Sequence, residues 1–272
     1  MSLRIQNNIA AMNAHRQLTI SDAGLSKSLE RLSSGYRINR AADDAAGLAI
    51  SQGMRADIAS YKVASRNVSE ANAMVQVAEG AYDQIGNMLV RLKELATQAA
   101  SANAEGNRDK INAEADQLLE EITRIANSTE YAGEAIINAD NSYEFQVGAS
   151  DGEDYRITAE FTSVTATDLS INDLNLESVA SAQAALTSVD TAIGTLNTSR
   201  GDLGAVQNRL GYAAANLATT IENVQAAESV IRDVDMAAEM TTFTKNQILL
   251  QAGTAMLAQA NMAPQVVLSL FG

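Results

Sequence analysis

The chain has 272 residues, a formal net charge of −14, and no Cys or Trp, with four Phe and one Pro. The absence of Cys excludes disulfides, thiolate metal sites and thiol catalysis, and the shortage of aromatic residues excludes a large aromatic core. A composition rich in Ala, Leu, Glu and Gln and almost free of Pro is typical of long helices and coiled coils.

The negative charge is concentrated in the middle of the chain. Residues 1–40 carry +4 and residues 232–272 carry −1, so the residues between them carry −17. Nucleic acids are poor partners for such a chain because phosphate contacts need clustered Lys and Arg. No apolar run is long enough to span a membrane, and no secretory signal is recognisable at the N-terminus. We therefore expect neither a nucleic-acid nor a membrane partner, and if the protein leaves the cell, we expect it to do so without a cleaved signal.

Three long helices are predicted in the middle of the chain. Apolar residues recur at steps of three and four from Ile58 to Leu92, from Ile111 to Ile125 and from Leu186 to Ile231. Such spacing places the apolar residues on one face of each helix. The three faces can be buried against one another, which predicts a mainly α protein built as a long antiparallel bundle.

A β-hairpin is predicted between the second and third of these helices. The alternation of Tyr143, Phe145 and Val147 and of residues 155–161 has the period of two expected of strands, and the Gly-containing stretch 148–154 separates them. The polar stretch 162–180 that follows is expected to be a surface connection.

Both ends of the chain carry apolar residues at steps of three and four that neither end can bury alone. A single helix with such a stripe needs a partner helix. We therefore expect the two termini to pair with each other or to dock onto other copies. The residues expected to pack in a terminal coiled coil are Ile5, Ile9, Met12, Leu25, Leu29, Leu32, Met236, Met240, Phe243, Leu249, Met256 and Leu270.

Two stretches resemble the signatures of a known family. The run Arg31-Leu-Ser-Ser-Gly-Tyr-Arg-Ile-Asn-Arg-Ala-Ala-Asp-Asp-Ala-Ala-Gly-Leu-Ala-Ile50 is similar to the N-terminal signature of bacterial flagellins. Residues 227–237, 239–249 and 255–261 resemble the C-terminal signature. The resemblance covers essentially the whole chain and implies a short form that lacks the large variable outer domains.

The resemblance implies an architecture and a function. The terminal helices, residues 1–42 and 235–272, would form a discontinuous core domain that pairs in the assembled filament. Residues 43–234 would form a bundle domain, with a hairpin at about 141–161 and the connection 162–180 in place of the outer domains. The implied function is that of a secreted structural subunit that polymerises into the flagellar filament for swimming.

Partner sites are implied by the same resemblance. Arg91, Leu95 and Glu114 match positions that in the family contact a Toll-like receptor of the host and also lie between stacked subunits. An export chaperone would bind the C-terminal helix, and filament cap and hook-associated proteins would be further partners. The ending Leu270-Phe271-Gly272 departs from the leucine-rich ending common in the family. Ser and Thr residues in 162–170 are candidates for glycosylation.

Chemical alternatives find little support in the sequence. His15 is the only histidine, Asp43 and Asp44 precede a helix as caps commonly do, and Met236 and Met240 have the spacing of packing residues. We therefore expect no enzyme activity, no cofactor and no metal. Two rivals remain: a hook–filament junction protein of the flagellum, and an enzyme or small-molecule binder with a site in residues 141–176.

Overall fold

A computed structural model describes the backbone of residues 7–268 and the side chains of residues 7–262. Over this range the chain is mainly helical, as predicted. The five α-helices are α1 (Ile9–Ser34), α2 (Ala45–Ala99), α3 (Arg108–Ser128), α4 (Val179–Arg232) and α5 (Met236–Leu268). Short 3₁₀ turns occur at Ala102–Ala104 and Glu153–Tyr155. The strands are β1 (Glu130–Tyr131), β2 (Glu134–Ala135), β3 (Asn141–Gln146) and β4 (Arg156–Phe161).

The chain divides into two compact units. The terminal unit contains the residues before Asp57 and after Glu222, and the central unit is Asp57–Glu222. Helices α2 and α4 contribute residues to both units. The sequence instead predicted boundaries after residues 42 and 234, next to the start of α2 and the end of α4. That division stays a prediction.

The central unit is built around the predicted apolar faces. From Ile58 to Leu92, the predicted face of α2 is buried except for the half-buried Tyr61. The largest side chains at its centre, Tyr82, Ile85 and Leu89, have no exposed surface. Helices α3 and α4 contribute their own apolar faces to the same cluster. The helical periodicity therefore predicted the buried face of α2, whereas on α3 the predicted Leu118 and Ile125 are only partly buried and Leu119 and Ala126 lie in the core.

The predicted β-hairpin is present. Strands β3 and β4 pair antiparallel with Tyr143 opposite Ala159 and Phe145 opposite Ile157. The rings of Tyr143 and Phe161 meet edge to face with their centroids 5.5 Å apart. On β4 the alternate residues Ile157, Ala159 and Phe161 are buried. The hairpin thus covers the central core with one face, as the period of two indicates.

The connection after the hairpin differs from its prediction as a surface stretch. Its apolar residues Val164, Ile171 and Leu176 are buried in the core of the central unit. Leu176 N–H donates to the side-chain oxygen of Asn112 at 2.8 Å, which ties the connection to α3. The prediction rested on the abundance of Ser, Thr, Asp and Asn, but a few apolar residues among them are enough to bury one side of an irregular segment.

Candidate functional site on the terminal helices

Helices α1 and α5 lie antiparallel and meet along one stripe of each helix, here called the α1–α5 seam. On α5, the only residues between Met236 and Met262 that are not exposed recur at steps of three and four. This is the seven-residue repeat of a two-stranded coiled coil. The seam residues are Ala11, Ala14, Leu18, Ser21, Leu25, Ser28 and Leu32 on α1, and Glu239, Phe243, Asn246, Leu250, Gly253, Leu257 and Ala260 on α5.

Polar contacts connect the two helices near both ends of the seam. At one end the side-chain amide of Asn8 donates to the carbonyl oxygen of Ala260 at 2.7 Å. At the other end the Arg31 guanidinium lies 3.4 Å from the carboxylate of Glu239, which is only 9% exposed. A polar group at a seam position favours the one register in which it finds its partner. These pairs therefore define how α1 and α5 are aligned.

Small residues allow the helices to approach closely within the seam. A Cβ atom added at Gly253 would lie 3.0 Å from Cδ1 of Leu18. One added at Gly24 would lie 2.9 Å from the side-chain nitrogen of Asn246. Both distances are shorter than ordinary van der Waals contact, so a larger residue at either glycine would displace the side chain opposite it.

The residues predicted for the terminal coiled coil divide into two groups. Leu25, Leu32 and Phe243 belong to the α1–α5 seam, whereas Ile5 and Leu270 lie outside the described residues. The other seven are exposed and lie outside the seam within one subunit: Ile9, Met12, Leu29, Met236, Met240, Leu249 and Met256. Their packing in an assembled coiled coil stays a prediction.

The sequence contains a signal for which residues lie in the α1–α5 seam, but the predicted terminal stripes did not follow it. Leu18, Leu25 and Leu32 follow one another at steps of seven, and so do Phe243, Leu250 and Leu257. The intervening seam positions hold Ala, Ser, Asn and Gly, which carry no hydrophobic signal. The larger exposed residues therefore dominated the apolar pattern.

The two linkers next to the seam pair with each other inside the terminal unit. Tyr36 and Asp233 form an antiparallel β-bridge. Arg37 N–H donates to the carbonyl of Arg232 at 2.7 Å, and Val234 N–H donates to that of Gly35 at 3.0 Å. Gly35 ends α1 with φ of 75°, a left-handed conformation that favours glycine. The link between α1 and α2 is thus joined to the link between α4 and α5.

Asp43 and Asp44 organise the start of α2. Asp44 accepts a hydrogen bond from Gly47 N–H at 2.9 Å, which confirms its expected role as a cap. Asp43 accepts a hydrogen bond from Lys27 of α1 at 2.8 Å and further bonds from the backbone N–H groups of Arg40 and Asn39. These bonds, that of Lys27 first, lower the pKa of Asp43 to about 2. Both carboxylates therefore accept hydrogen bonds from nearby groups of the same chain.

The three residues matched to the receptor site lie in the central unit. Arg91 donates from Nε and from a terminal nitrogen to the Glu114 carboxylate at 2.9 and 2.7 Å, and it also binds Glu94 at 2.9 Å. These bonds, that of Glu114 first, raise the pKa of Arg91. Leu95 is 2% exposed and belongs to the core. Arg91 and Glu114 therefore form the accessible part of this group, whereas Leu95 is buried.

The alternative sites offer little for chemistry. His15 is exposed, and the described residues place no three His, Asp or Glu side chains close enough to hold a metal ion. The hairpin borders a shallow groove in which Asn67 donates to the carbonyl of Gln146, and Gln146 donates to those of Gly148 and Ser150. Within residues 7–268, no helix has an apolar stretch long enough to cross a lipid bilayer.

Two family models match the chain. The bacterial flagellin N-terminal helical region matches residues 5–142, and the bacterial flagellin C-terminal helical region matches residues 186–271. A flagellin of Halalkalibacterium halodurans is 43% identical over 98% of both chains. The flagellar filament 33 kDa core protein of Treponema phagedenis is 42% identical over 98% of this chain and 99% of that one. A flagellin of Bacillus subtilis is 40% identical over the same shares.

Solved structures agree with the fold. The crystal structure of Bacillus cereus flagellin is 30% identical, with a TM-score of 0.50 over 56% of this chain and 88% of that one. A putative flagellar hook-associated protein from Vibrio parahaemolyticus has a TM-score of 0.54 over 70% of this chain and 97% of its own. Because the Vibrio parahaemolyticus protein is only 12% identical, the similarity shows a shared fold alone.

Proposed function

We propose a mode of assembly for this chain, which belongs to the bacterial flagellin family and is a structural subunit of the flagellar filament. It polymerises with copies of itself into the filament that bacteria use for swimming. The proposal is that the faces of α1 and α5 outside their common seam are the surfaces through which neighbouring subunits join. This proposal depends on the observation that these faces expose large apolar side chains on both helices.

Helix α5 supports this proposal because it is almost free of charge and exposes large apolar side chains outside the seam. Between Met236 and Met262 it carries only two charged side chains, Glu239 and Lys245, and Glu239 is used in the seam. Met240 and Ile248 border a shallow groove on the same helix. A helix that exposes several large apolar side chains and almost no charge is stabilised when those side chains are buried. The seam covers one side, so other subunits are needed for the rest.

Helix α1 supports the same proposal with large apolar side chains on the face opposite the seam, on either side of the exposed Arg16. Ile9, Met12 and Ile20 lie on this face, and each exposes more than half of its side chain. Completing the burial of one such side chain contributes about 1 kcal/mol, so several together favour the joining of subunits. A contact between different faces of identical subunits builds an open helical filament when its rotation does not close.

The wider setting of the chain is proposed from the family resemblance. The subunit is exported through the flagellar type III apparatus and assembles outside the cell. An export chaperone covers α5 before assembly, and cap and hook-associated proteins contact the filament ends. The role is mechanical, without catalysis or cofactor. Identity to filament proteins over nearly the full chain favours this role over that of a hook–filament junction protein.

The test compares three substitutions of exposed apolar residues by aspartate. Ile20→Asp and Ile248→Asp each place a charge on a proposed joining face, at side chains that are 58% and 59% exposed. We expect both to remain helical by circular dichroism and to form no filaments by electron microscopy. Val179→Asp at the exposed start of α4 is the control and should polymerise. Normal filaments from both terminal variants would refute the proposed mode.

A receptor contact at Arg91 and Glu114 is proposed separately. An exposed Arg–Glu pair on the central unit offers both charges to a complementary surface. Arg91→Ala should weaken binding to a flagellin-sensing Toll-like receptor by about tenfold, as expected for a charged interface contact. Arg124→Ala removes a similar pair with Glu121 on α3 and serves as control. Equal losses in both variants would exclude a specific role for Arg91.

A further inference from the structure

Five methionines stand out on the terminal helices because their side chains are open to solvent. Their exposed fractions are 68% for Met12, 50% for Met236, 49% for Met240, 65% for Met256 and 56% for Met262. By contrast, Met74 in the central core is 6% exposed, and Met54 and Met88 are partly buried. Among the described side chains, every methionine of α1 and α5 is therefore exposed.

The structure assigns these five methionines, we propose, as oxidation sites for hydroperoxides, at which sulfoxide formation prevents an unassembled subunit from joining a filament. In this step the thioether sulfur attacks the peroxide and forms an S–O bond while the O–O bond breaks. The sulfur loses two electrons and the peroxide is reduced; after proton transfer, the second peroxide oxygen leaves as water from hydrogen peroxide or as an alcohol from an alkyl hydroperoxide. Methionine reacts in this way where its sulfur is accessible.

The consequence for joining follows from the polarity of the product. A methionine side chain is flexible and apolar and adapts to irregular contacts. Its sulfoxide carries a strongly polar oxygen that must find a donor when it is buried. Four of the five methionines lie on α5, whose exposed residues are mainly Ala, Leu, Ile, Met and Thr, so their sulfoxide oxygens oppose burial together. This inference rests on the proposed function, because it requires the exposed faces of α1 and α5 to be the joining surfaces.

The chemical part is tested by treating dilute, unassembled full-length subunits with hydrogen peroxide. Peptide mass spectrometry would then follow the sulfoxide at each methionine. Because a buried methionine reacts only after local opening, we expect the five to react at least about tenfold faster than Met74. The same treatment of sheared filaments should spare the five. Equal rates for the five and for Met74 in the subunit would overturn the assignment.

The assembly part uses a variant in which all five methionines are replaced by leucine. Leucine has similar volume and helix propensity and has no sulfur to oxidise. After peroxide treatment, the wild-type subunit should lose seeded elongation relative to its own untreated sample, whereas the five-leucine variant should elongate at the same rate as its own untreated sample. Methionine sulfoxide reductases should restore elongation of the oxidised wild type. Normal elongation of wild-type subunits that carry the five sulfoxides would overturn the inference.

Ile20→Asp and Ile248→Asp distinguish this failure from failure of the proposed function. If sulfoxides are tolerated but the aspartate variants do not polymerise, the joining surfaces are correct and the oxidation inference alone is wrong. If the aspartate variants also polymerise, the proposed joining surfaces themselves are wrong. Loss of elongation in the oxidised five-leucine variant would show that the damage lies at other residues, which also refutes the inference.

Discussion

The guanidinium of Arg232, the last residue of α4, lies over the ring of Tyr36 with its central carbon 4.1 Å from the ring centroid. Arg232 also lies 3.7 Å from the carboxylate of Glu228, one helical turn earlier. This stacking sits beside the bridge between Tyr36 and Asp233. A cation–π contact thus reinforces the point at which the two linkers of the terminal unit pair.

Removing the Tyr36 ring should loosen this junction. Tyr36→Ala deletes the cation–π contact, which is expected to cost about 1 kcal/mol. Amide hydrogen exchange at Arg37 and Val234, whose N–H groups bond across the linkers, should become about fivefold faster if local opening controls exchange. Tyr36→Phe retains a ring and serves as control. Unchanged exchange in the alanine variant would show that the stacking contributes nothing to the junction.

Gly24 and Asn246 should be energetically coupled across the α1–α5 seam. A methyl group at Gly24 would meet the Asn246 side chain at 2.9 Å, so Gly24→Ala should force that side chain to move. Asn246→Ala provides the missing space. We expect the double variant to be more stable than the sum of the single changes by about 1 kcal/mol, as for other residues in contact. Denaturation of assembled filaments measures the four stabilities, and additive effects would contradict the close approach.

Asp43 should titrate far below an ordinary aspartate. Its pKa is lowered to about 2 by the hydrogen bonds from Lys27, Arg40 and Asn39. Since the native pKa is below the unfolded value of about 3.9, its contribution to stability is complete above pH 4 and is lost as the pH falls towards 2. Carboxyl-carbon NMR of filament subunits would report the titration. Lys27→Gln should raise the pKa of Asp43, and an unshifted value would disprove the Lys27 bond.

The Tyr82 hydroxyl should matter to the central unit despite its apolar surroundings. It donates to the carbonyl of Thr162 at 2.7 Å, and Tyr82→Phe leaves that carbonyl without this donor. The expected loss is about 1–2 kcal/mol in urea unfolding. Tyr143→Phe, at a partly buried tyrosine of the hairpin, provides a comparison. Equal stability of Tyr82→Phe and wild type would show that the bond is replaced by water at no cost.

Burial also raises the pKa of Tyr82 above its ordinary value. The unfolded chain therefore loses this proton first as the pH increases. The stability contribution of Tyr82 is complete below pH about 10 and is lost as the pH rises towards its native pKa. Ultraviolet titration of phenolate formation should show one tyrosine that ionises only on unfolding, and this tyrosine should be missing in Tyr82→Phe.

Gly201 in α4 offers a stabilising substitution. It is exposed, and a Cβ atom there would have no neighbour within 4 Å. Gly201→Ala should stabilise the helix by about 0.5–1 kcal/mol because alanine loses less backbone entropy. The thermal midpoint should rise by about 2–3 °C. Ala205→Gly at an exposed site in the same helix should lower it by a similar amount, and a decrease in both variants would indicate an unseen contact at Gly201.

The sequence alone determined the helices of the central unit and the hairpin. From Ile58 to Leu92, apolar residues fall on one face of α2 at every turn. The spacing that predicts the helix therefore also identifies the residues that face the core. Strands β3 and β4 were equally readable because Tyr143, Phe145 and Ile157 alternate with polar residues. The sequence also predicted that the termini pair with each other or dock onto other copies, and the structure pairs α1 with α5.

Only the tertiary structure decided which face of each terminal helix meets the other. Both α1 and α5 carry apolar residues on more than one side, so periodicity allows several frames. The frame that occurs is the one in which Gly24 and Gly253 allow close approach and Arg31 reaches Glu239. These conditions concern residues more than two hundred positions apart in the chain. Their fit depends on the distance between two helices, a quantity that local sequence patterns do not contain.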